Sequence, residues 1–552
     1  MEDWSPTRHS ARRARLEPPE EVDVVVIGAG LGGLSAAAYL ARAGFRVACF
    51  DAHYVAGGCG TMFTRKGPHG RYNFDIGVHY VGDCNPGGMM PRLLEGAGAA
   101  VDFVPMDQDG FDTIVLPDLR FRIPANLDLY RDRLVDLFPS EKKGIDRYVN
   151  LVRQVDRIGA MMNASGGKPT LRMGVEVALR GRLLARYQRA TIGEFLDSCT
   201  RDPKLRAIFL GQSGDYGLPP REVSAMLHIG LANHYFHGAF YPQGGGQAMA
   251  DRLAEVIEAN GGSVHLRRPI QRILIENGRA VGVETEARHN KTQTVRAGAV
   301  ISNADLTATL LHLIEPGALP GEWAAKAKKF RMAEAIFMTV LGIEGDLRQD
   351  GMQTTNYWQY DMYDFDQLYD ELRKDPEMRP RAAYITSASI KDPGSQHHAP
   401  AGISSLEVMT LLPGELKRWG VEPEAATKWG YKNDEQYRAR KAAIEENLID
   451  RLDGLFPGTK QRIVYRESAT PVTHARFTRA KDGTGYGLAA TPDQFLDRRP
   501  GYRGPLRDLY FCGASARAGH GVVGVLLSGY LAARCLARDK GRGDAIPSIW
   551  AD

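Results

Sequence analysis

Three glycines and one aspartate near the start of the chain form a set that could bind a nucleotide. Gly28, Gly30 and Gly33 have the spacing G-x-G-x-x-G, and Asp51 follows further along the chain. The first glycine permits a tight turn, the second lets a pyrophosphate approach the backbone, and the third allows a helix to pack on a strand. Asp51 could accept a hydrogen bond from a ribose hydroxyl, and its charge disfavours a 2′-phosphate. These residues predict a dinucleotide site, and a glycine-rich turn without a ligand is the alternative.

A second set of side chains could transfer protons or contact a bound ligand. Two of them lie side by side in residues 77–82, GVHYVG, and the others lie near residue 240 and in a late glycine-rich segment. General acids and bases are drawn from such side chains, but a buried tyrosine often only satisfies a hydrogen bond, and a lone histidine often only packs. The candidates are His79, Tyr80, His234, Tyr235, Tyr241 and His520.

The elements that must position these residues are a parallel strand, a helix and a second strand. Residues 22–27 (VDVVVI) are a continuous apolar run, which is typical of a buried parallel strand. We predict a helix over about residues 34–43 and a strand over residues 45–50, which ends at Asp51. Together they form a βαβ unit around the glycine loop. A late strand over residues 509–512, followed by glycines and a helix through Leu536, predicts that the chain returns to this unit.

The middle of the chain has a different pattern. Residues 103–243 predict helices, and Asn277-Gly278 predicts a hairpin turn. Strand-like runs at 335–343, 382–389 and 404–412 predict an antiparallel sheet, and 434–455 predict a long helix. The predicted fold is therefore α/β, with a discontinuous Rossmann-like domain and an inserted α+β domain that contains a mostly antiparallel sheet. We assign residues 21–102, 244–305 and 500–540 to the first domain, 103–243 and 306–499 to the second, and 1–20 to a disordered basic tail.

Composition excludes several classes of protein. The 552 residues are 43% apolar and 25% charged, which is ordinary for a globular chain. A formal net charge of +4 is too small to argue for nucleic-acid binding. The six cysteines have no metal-ligand spacing, so we expect no metal and reduced thiols. No apolar run follows the basic start, so we expect a cytoplasmic rather than a secreted protein.

Two further segments carry a resemblance to a known family. Residues 57–61 (GGCGT) and 509–524 (LYFCGASARAGHGVVG) resemble flavin-binding segments of the amine oxidase and phytoene desaturase superfamily. The resemblance implies FAD as the cofactor, with the late helix start approaching the flavin ring, where its positive end would stabilise an anionic reduced flavin. The cofactor contacts implied in this way are Gly28, Gly30, Leu31, Gly33, Asp51, Ala52, Gly57, Gly58, Val78, His79, Ile270, Gly513, Ala514, Val522 and Val523.

Residues 77–82 also resemble one branch of that superfamily. The pattern Gly-x-His-Tyr-x-Gly is similar to that of the retinol saturase and carotenoid isomerase branch. Further similar segments are 138–141, 216–217, 232–235, 241–245 and 302–305. The resemblance implies redox chemistry on a carbon–carbon double bond of an apolar polyene or other isoprenoid lipid, by a saturase or an isomerase. A carotenoid desaturase, an amine oxidase and a non-enzymatic prenyl-binding protein stay as alternatives, and the electron donor or acceptor stays open.

A hydrocarbon substrate dissolves in bilayers, so the protein is expected to have a segment that contacts a membrane. Residues 168–189 (KPTLRMGVEVALRGRLLARYQR) alternate cations with apolar side chains and contain a single acid, Glu176. Such a segment can lie at a membrane surface with its cations on the headgroups, although a solvated helix has the same composition. We therefore expect peripheral membrane association, through residues 165–190, as one of two interpretations.

Overall fold

The computed structural model describes residue 7 and residues 9–287 and 291–550. Its strands form two seven-stranded sheets, a two-stranded hairpin and a small three-stranded sheet. The strands are β1 (Glu21–Ile27), β2 (Val47–Phe50), β3 (Met62–Gly67), β4 (Gly70–Asp75), β5 (Val81–Gly82), β6 (Phe103–Pro105), β7 (Asp112–Leu116), β8 (Leu119–Ile123), β9 (Ala239–Pro242), β10 (Ser263–His265), β11 (Ile270–Glu276), β12 (Arg279–Thr285), β13 (Thr294–Ser302), β14 (Ala335–Glu344), β15 (Asn356–Tyr360), β16 (Ala382–Thr386), β17 (Ile403–Leu412), β18 (Ile463–Ala469) and β19 (Leu509–Phe511).

The helices vary from single turns to more than twenty residues. They are α1 (Ser10–Arg15), α2 (Leu31–Arg42), α3 (Met89–Ala97), α4 (Leu127–Leu137), α5 (Lys142–Ala164), α6 (Leu171–Arg180), α7 (Arg182–Tyr187), α8 (Ile192–Asp197), α9 (Pro203–Phe209), α10 (Ala225–Phe236), α11 (Gln247–Ala259), α12 (Leu306–Ala308), α13 (Gly321–Lys328), α14 (Phe365–Lys374), α15 (Ala388–Lys391), α16 (Glu435–Leu455), α17 (Pro471–Thr478) and α18 (Val522–Asp539). None of the helices in the described residues is both long and apolar enough to cross a bilayer.

The first large sheet is built around β1. Its order is β10-β2-β1-β13-β12-β11, and β19 also pairs with β13. Strands β1, β2, β10, β13 and β19 pair in parallel, whereas β11, β12 and β13 form antiparallel pairs. Val24, Val25 and Val26 are fully buried, as expected for a parallel strand that is covered on both faces. Helices α2 and α18 approach so closely on one face that there is no room for a side chain at Gly529. A Cβ there would lie 2.2 Å from the Gly32 carbonyl oxygen.

The second large sheet has the order β18-β14-β17-β16-β15-β7-β8. All of its neighbouring strands are antiparallel except β15 and β7, which pair in parallel. The predicted strand runs correspond to β14, β16 and β17, and the predicted α/β fold is confirmed. The predicted hairpin is present between β11 and β12, where Asn277 and Gly278 both have positive φ. The assignment of residues to two domains stays a prediction.

Two predictions require correction. The region 103–243 was expected to be helical, but it begins with β6, β7 and β8, and β7 and β8 complete the second sheet. These strands are short, and the pairing of β7 with β15 over a long sequence separation is not visible locally.

Residues 1–20 were expected to be a disordered tail, but helix α1 lies in this region. The Arg13 side chain is 2% exposed, and its Nε donates to the Glu258 carboxylate at 2.8 Å. An ion pair with a distant helix therefore anchors a segment that has no apolar run of its own. Residues 1–6 and 8 lie outside the described part of the chain.

Candidate active site

A single continuous cavity of about 1540 Å³ connects the two large sheets. Glycine segments that follow β1, β2 and β19 line one end of it, and aromatic side chains from α10, β15 and β16 line the other. Pockets for one small ligand typically have volumes of about 300–1,000 Å³. The cavity is therefore large enough for a cofactor and a second molecule beside it.

The first glycine loop leaves a helix start open to the cavity. Gly28 has a φ of +95°, and Gly30 is the residue before α2, which has no side-chain cap. The backbone N–H groups of the first helical turn lack intrahelical partners, so together with the positive end of the helix they favour a phosphate. Gly33 does not line the cavity, because its Cα packs on the Gly28 carbonyl: an added Cβ would lie 2.0 Å from that oxygen. The third glycine thus serves helix–strand packing.

Asp51 follows the end of β2 and closes the same loop from the other side. One carboxylate oxygen accepts a hydrogen bond from the Ala29 N–H at 2.6 Å, and the other accepts from the His53 N–H at 2.7 Å. Each carboxylate oxygen has a second lone pair, and Asp51 lines the cavity. Asp51 can therefore bind a ribose hydroxyl while it keeps its backbone partners.

Asn303, at the end of β13, holds two glycine segments together. Its side-chain amide donates to the Gly28 carbonyl at 3.3 Å. A Cβ at Gly30 would lie 2.9 Å from its Nδ2, and a Cβ at Gly513 would lie 2.5 Å from its Oδ1. Asn303 lies in one of the segments that resemble the saturase and isomerase branch, but its sequence context predicts no role for it. Its position is determined by the pairing of β13 with β1 and β19, which a linear pattern does not show.

The late glycine segment ends in a second open helix start. Helix α18 begins after Gly521, again without a side-chain cap, and Val522 and Val523 line the cavity. Behind this segment the buried Arg499 guanidinium donates to the carbonyls of Ala514 at 2.6 Å and Leu488 at 2.9 Å. Burial lowers the pKa of Arg499 to about 9, so the group is charged at neutral pH. No ion pair to Arg499 is present in the described residues, so its positive charge is not neutralised by a carboxylate.

His79 lines the cavity, and its ring centroid lies 5.7 Å from that of Tyr384. Burial and the nearby Lys391 lower its pKa to about 3, so the imidazole is neutral at pH 7. Its Nε2 is buried and has no hydrogen-bond partner within the protein. A neutral ring with one unpaired nitrogen is suited to a hydrogen bond with a bound ligand, but it is not a reservoir of protons at neutral pH.

A cluster of buried ionisable side chains lies behind His79. The Lys391 ammonium donates to the His79 carbonyl and to Thr386 Oγ1, the latter at 2.6 Å. Burial lowers the pKa of Lys391 to about 8 and raises that of Glu407 to about 8, while their mutual attraction opposes both shifts. Tyr241 donates to the Asp75 carboxylate in this cluster and is fully buried. Tyr241 does not line the cavity, and this position argues against its predicted role as a proton donor to substrate.

Two of the predicted candidates on α10 line the cavity but are engaged with other groups. His234 accepts a hydrogen bond from the Gly82 N–H at 2.8 Å, and burial lowers its pKa to about 4. Tyr235 stacks on Tyr80 with ring centroids 4.3 Å apart and an interplanar angle of 3°. His234 thus fastens α10 to β5, and Tyr235 forms part of the aromatic wall.

Tyr80 brings together two carboxyl groups that the sequence analysis did not identify. Its hydroxyl oxygen lies 2.7 Å from Asp215 Oδ2 and 3.2 Å from Asp112 Oδ2. Asp112 is fully buried and accepts from the Gln212 and Asn356 amides at 2.7 and 2.9 Å. Asp215 lines the cavity. Asp215 directly precedes Tyr216–Gly217, which is one of the segments similar to the saturase and isomerase branch. This adjacency is the feature of the sequence that could have indicated a role for Asp215.

The chain is similar to known proteins in both sequence and fold. Residues 31–537 match the family model described as flavin containing amine oxidoreductase. The chain belongs to this family.

Within the flavin-containing amine oxidoreductase family, the chain is similar to two kinds of characterised protein. It is 28% identical to all-trans-retinol 13,14-reductase of Danio rerio, over 90% of this chain and 82% of the relative. It is 31% identical to the protein of the same name from Macaca fascicularis, over 85% and 77%. It is 25% identical to prolycopene isomerase 1, chloroplastic, of an Oncidium hybrid cultivar, over 96% and 86%. The predicted resemblance to the saturase and isomerase branch is confirmed.

Solved structures support the same fold. An oxidoreductase from Methanosarcina mazei has a TM-score of 0.59 at 22% identity, covering 92% of this chain and 98% of that one. Cyclohexylamine oxidase from Brevibacterium oxydans has a TM-score of 0.58 at 16% identity, covering 95% and 100%. At these identities the likeness concerns the fold alone.

The family membership implies a flavin, and the cavity fits one. The N-termini of α2 and α18 have no side-chain caps and border the cavity. The Arg499 guanidinium, which has no carboxylate partner among the described residues, lies behind the glycine segment that leads to α18. Every predicted cofactor contact lines the cavity except Gly33, whose role is packing. The chain is thus a flavin-dependent oxidoreductase.

Proposed function

We propose that this protein binds FAD and acts on a carbon–carbon double bond of an apolar polyene or other isoprenoid lipid, as a saturase or an isomerase. The observation that carries the proposal is the single cavity, which runs without interruption from the nucleotide-type glycine loops to an aromatic chamber. The relatives named retinol reductase and prolycopene isomerase support this substrate class, because they share most of the chain's length.

The choice of FAD over a smaller flavin rests on the length of the glycine-lined end. Asp51 and Ile270 line the cavity at the first sheet, while Val522 marks the start of α18. A mononucleotide would leave the Asp51 end without a ligand, whereas the adenosine of FAD supplies a ribose for it. Chromatography of the cofactor released by denaturation tests this choice. FAD is the expected product, and FMN would contradict it.

The opposite end of the cavity is suited to a hydrocarbon. Leu227, Leu231, Met338 and Met409 line it together with Trp358. Burial of apolar surface contributes about 25 cal/mol per Å², so a long polyene gains affinity from length rather than from polar contacts. The methionines are adaptable in shape and suit an extended chain that changes its bond geometry.

Saturase and isomerase differ in the fate of two electrons. A bound reduced flavin supplies a hydride, and the protein must then supply or accept a proton at the neighbouring carbon. Anaerobic mixing of the reduced protein with a polyene separates the two activities. Loss of one double bond with oxidation of the flavin indicates a saturase, and a changed double-bond geometry with the flavin still reduced indicates an isomerase. Reduction of an oxidised flavin by the polyene would indicate a desaturase instead.

An amine oxidase is the alternative that the aromatic chamber favours, since aromatic faces attract ammonium groups. Tyr80, Tyr235, Trp358 and Tyr384 line the chamber. Asp215, the acid beside Tyr80 that lines the cavity, has its pKa raised to about 8 by burial, so it offers little negative charge to an amine at neutral pH. Failure of primary amines to reduce the bound flavin is the expected result.

A membrane surface is the proposed source of the substrate. Helix α6 exposes Leu171, Val175 and Leu179 by 87%, 49% and 70%, and their i, i+4, i+8 spacing places them on one face. Exposed cations flank this face at Arg172, Arg180 and Arg182. Apolar side chains in the acyl boundary with cations at the headgroups are the arrangement of an interfacial helix. We propose that this face rests on anionic lipid.

A further inference from the structure

We propose that Asp215 is the acid that protonates the substrate carbon, and that its burial beside the Asp112 carboxylate holds it in its neutral form. The inference rests on the proposed reduction of a double bond. In that reaction one carbon takes a hydride from the reduced flavin, and its neighbour takes a proton from the Asp215 carboxyl. The two electrons of the broken π bond form the new bond to that proton, the flavin is oxidised by two electrons, and the carboxylate regains a proton from water.

The assignment follows from the number of protons that Tyr80, Asp112 and Asp215 share. The Tyr80 hydroxyl lies 2.7 Å from Asp215 and 3.2 Å from Asp112, but it has only one proton to donate. Two carboxylates this close in a buried site do not both stay ionised, so one of them holds a proton of its own. With that proton on Asp215, the acid donates to the Tyr80 oxygen while Tyr80 donates to Asp112. After transfer, Tyr80 turns to Asp215 and stabilises the carboxylate.

The surroundings decide which carboxyl is neutral. Asp112 accepts from the amides of Gln212 and Asn356 and has no exposed surface, so it is the stabilised anion without access to substrate. Asp215 has Tyr80 as its side-chain partner and lines the cavity. Burial raises the pKa of Asp215 to about 8, with Asp112 adding to the shift and Tyr80 opposing it, whereas the pKa of Asp112 is raised only to about 6.

The other titratable groups around Asp215 do not compete for this role. His520 has its pKa lowered to about 3 by burial, and its ring is hydrogen-bonded to the Asp215 backbone. The tyrosines have their pKa raised by burial, so they stay neutral over the working range. They are Tyr80, Tyr216, Tyr235, Tyr360, Tyr384 and Tyr486.

Tyr486 connects the turn that carries Asp215 with the late glycine segment. Tyr486 donates to the Gly214 carbonyl at 2.6 Å, and its ring lies 5.3 Å from that of His520. His520 belongs to the glycine segment that ends at α18. The turn that carries Asp215 is therefore fastened to the segment that leads into the second open helix start.

The test compares Asp215→Asn with the wild type in anaerobic reoxidation of the reduced flavin by a polyene. We expect the variant to keep its bound flavin and to react about 100-fold more slowly or worse, as is typical when a general acid is lost. Asp118→Asn is the matched control, because Asp118 also accepts from a tyrosine, Tyr363, but is 58% exposed and does not line the cavity. An Asp215→Asn rate equal to that of the control would overturn the inference and leave the proposed function standing.

Two further readouts do not depend on that variant's activity. The infrared spectrum of the wild type at pH 7 should contain a protonated-carboxyl band that disappears in Asp215→Asn, whereas the band of the buried Glu407 should stay in both proteins. The reoxidation rate of the wild type should fall as the pH rises through about 8. Tyr80→Phe removes a bond that favours the carboxylate, so it should move this fall to higher pH; an unmoved fall, or no band lost in Asp215→Asn, would overturn the inference. A wild type that no polyene reoxidises would instead overturn the proposed function.

Discussion

The Lys391 ammonium donates a hydrogen bond to the backbone carbonyl of His79. This contact joins a buried cation at the end of α15 to His79, which lines the cavity. The same ammonium is attracted by the buried acids Glu407 and Asp75, which burial would otherwise keep neutral. The cluster therefore supports the cavity wall from behind, without touching a ligand itself.

Removing this cation should destabilise the protein. Lys391→Met leaves the buried Asp75 without a counter-charge and the His79 carbonyl without its donor, and breaking a buried charge pair typically costs about 3–5 kcal/mol. Urea unfolding of the flavin-loaded protein measures the loss. The control is Lys417→Met, because Lys417 is 74% exposed. The double variant Lys391→Met, Asp75→Asn should recover part of the loss; no recovery, or a loss as small as that of the control, would contradict the assignment.

A side chain at the second loop glycine should prevent flavin binding. In Gly30→Val the Cβ alone would lie 2.9 Å from Asn303 Nδ2, and the methyl groups would occupy the approach to the first turn of α2. Gly159→Val is the control, because Gly159 has open space around it on α5. We expect a colourless Gly30→Val protein and a yellow control, both folded by circular dichroism. Stoichiometric flavin in Gly30→Val would refute the loop assignment.

Local patterns were sufficient for the nucleotide-type half of the fold. The apolar run of β1, the glycine spacing and the late glycine segment each have a short-range signature, so they could be identified from the sequence. The carboxyl pair Asp112 and Asp215 could not, because their meeting at Tyr80 requires β7 to join a sheet in which every strand except its hairpin partner β8 comes more than 200 residues later. Tyr241 shows the reverse case: its neighbours in sequence resemble a site, but its hydroxyl turns into the buried cluster.

His79 should act as a neutral hydrogen-bonding group rather than as an acid. Its pKa of about 3 predicts no change of activity from its titration between pH 5 and 8. His79→Gln keeps an amide that can bond to a ligand, so it should retain more activity than His79→Ala, and both should keep bound flavin. Steady-state pH profiles of the three proteins provide the check. A wild-type transition near pH 6.5 that both variants lose would show that the imidazole does titrate in turnover.

The exposed face of α6 should determine membrane binding. Replacing Leu171, Val175 and Leu179 by serine removes the apolar contact and leaves the cations, so co-sedimentation with vesicles that contain anionic phospholipid should fall severalfold. Serine at Leu129 and Leu137 is the control, since both are exposed on α4 by 39% and 44%. Turnover of a detergent-dispersed polyene should be unchanged in the triple variant. Equal sedimentation of the two variants would exclude this face as the contact.

We propose that the reduced protein transfers hydride to a carbon–carbon double bond or rearranges one. The most direct measurement mixes the anaerobically reduced protein with a limiting amount of polyene, follows the flavin absorbance, and identifies the products by mass and geometry. The account predicts either one flavin oxidised for each double bond lost, or isomerised polyene with the flavin still reduced. Recovery of unchanged polyene across a panel of retinoids and carotenoids, together with rapid reduction of the oxidised flavin by an amine, would contradict it.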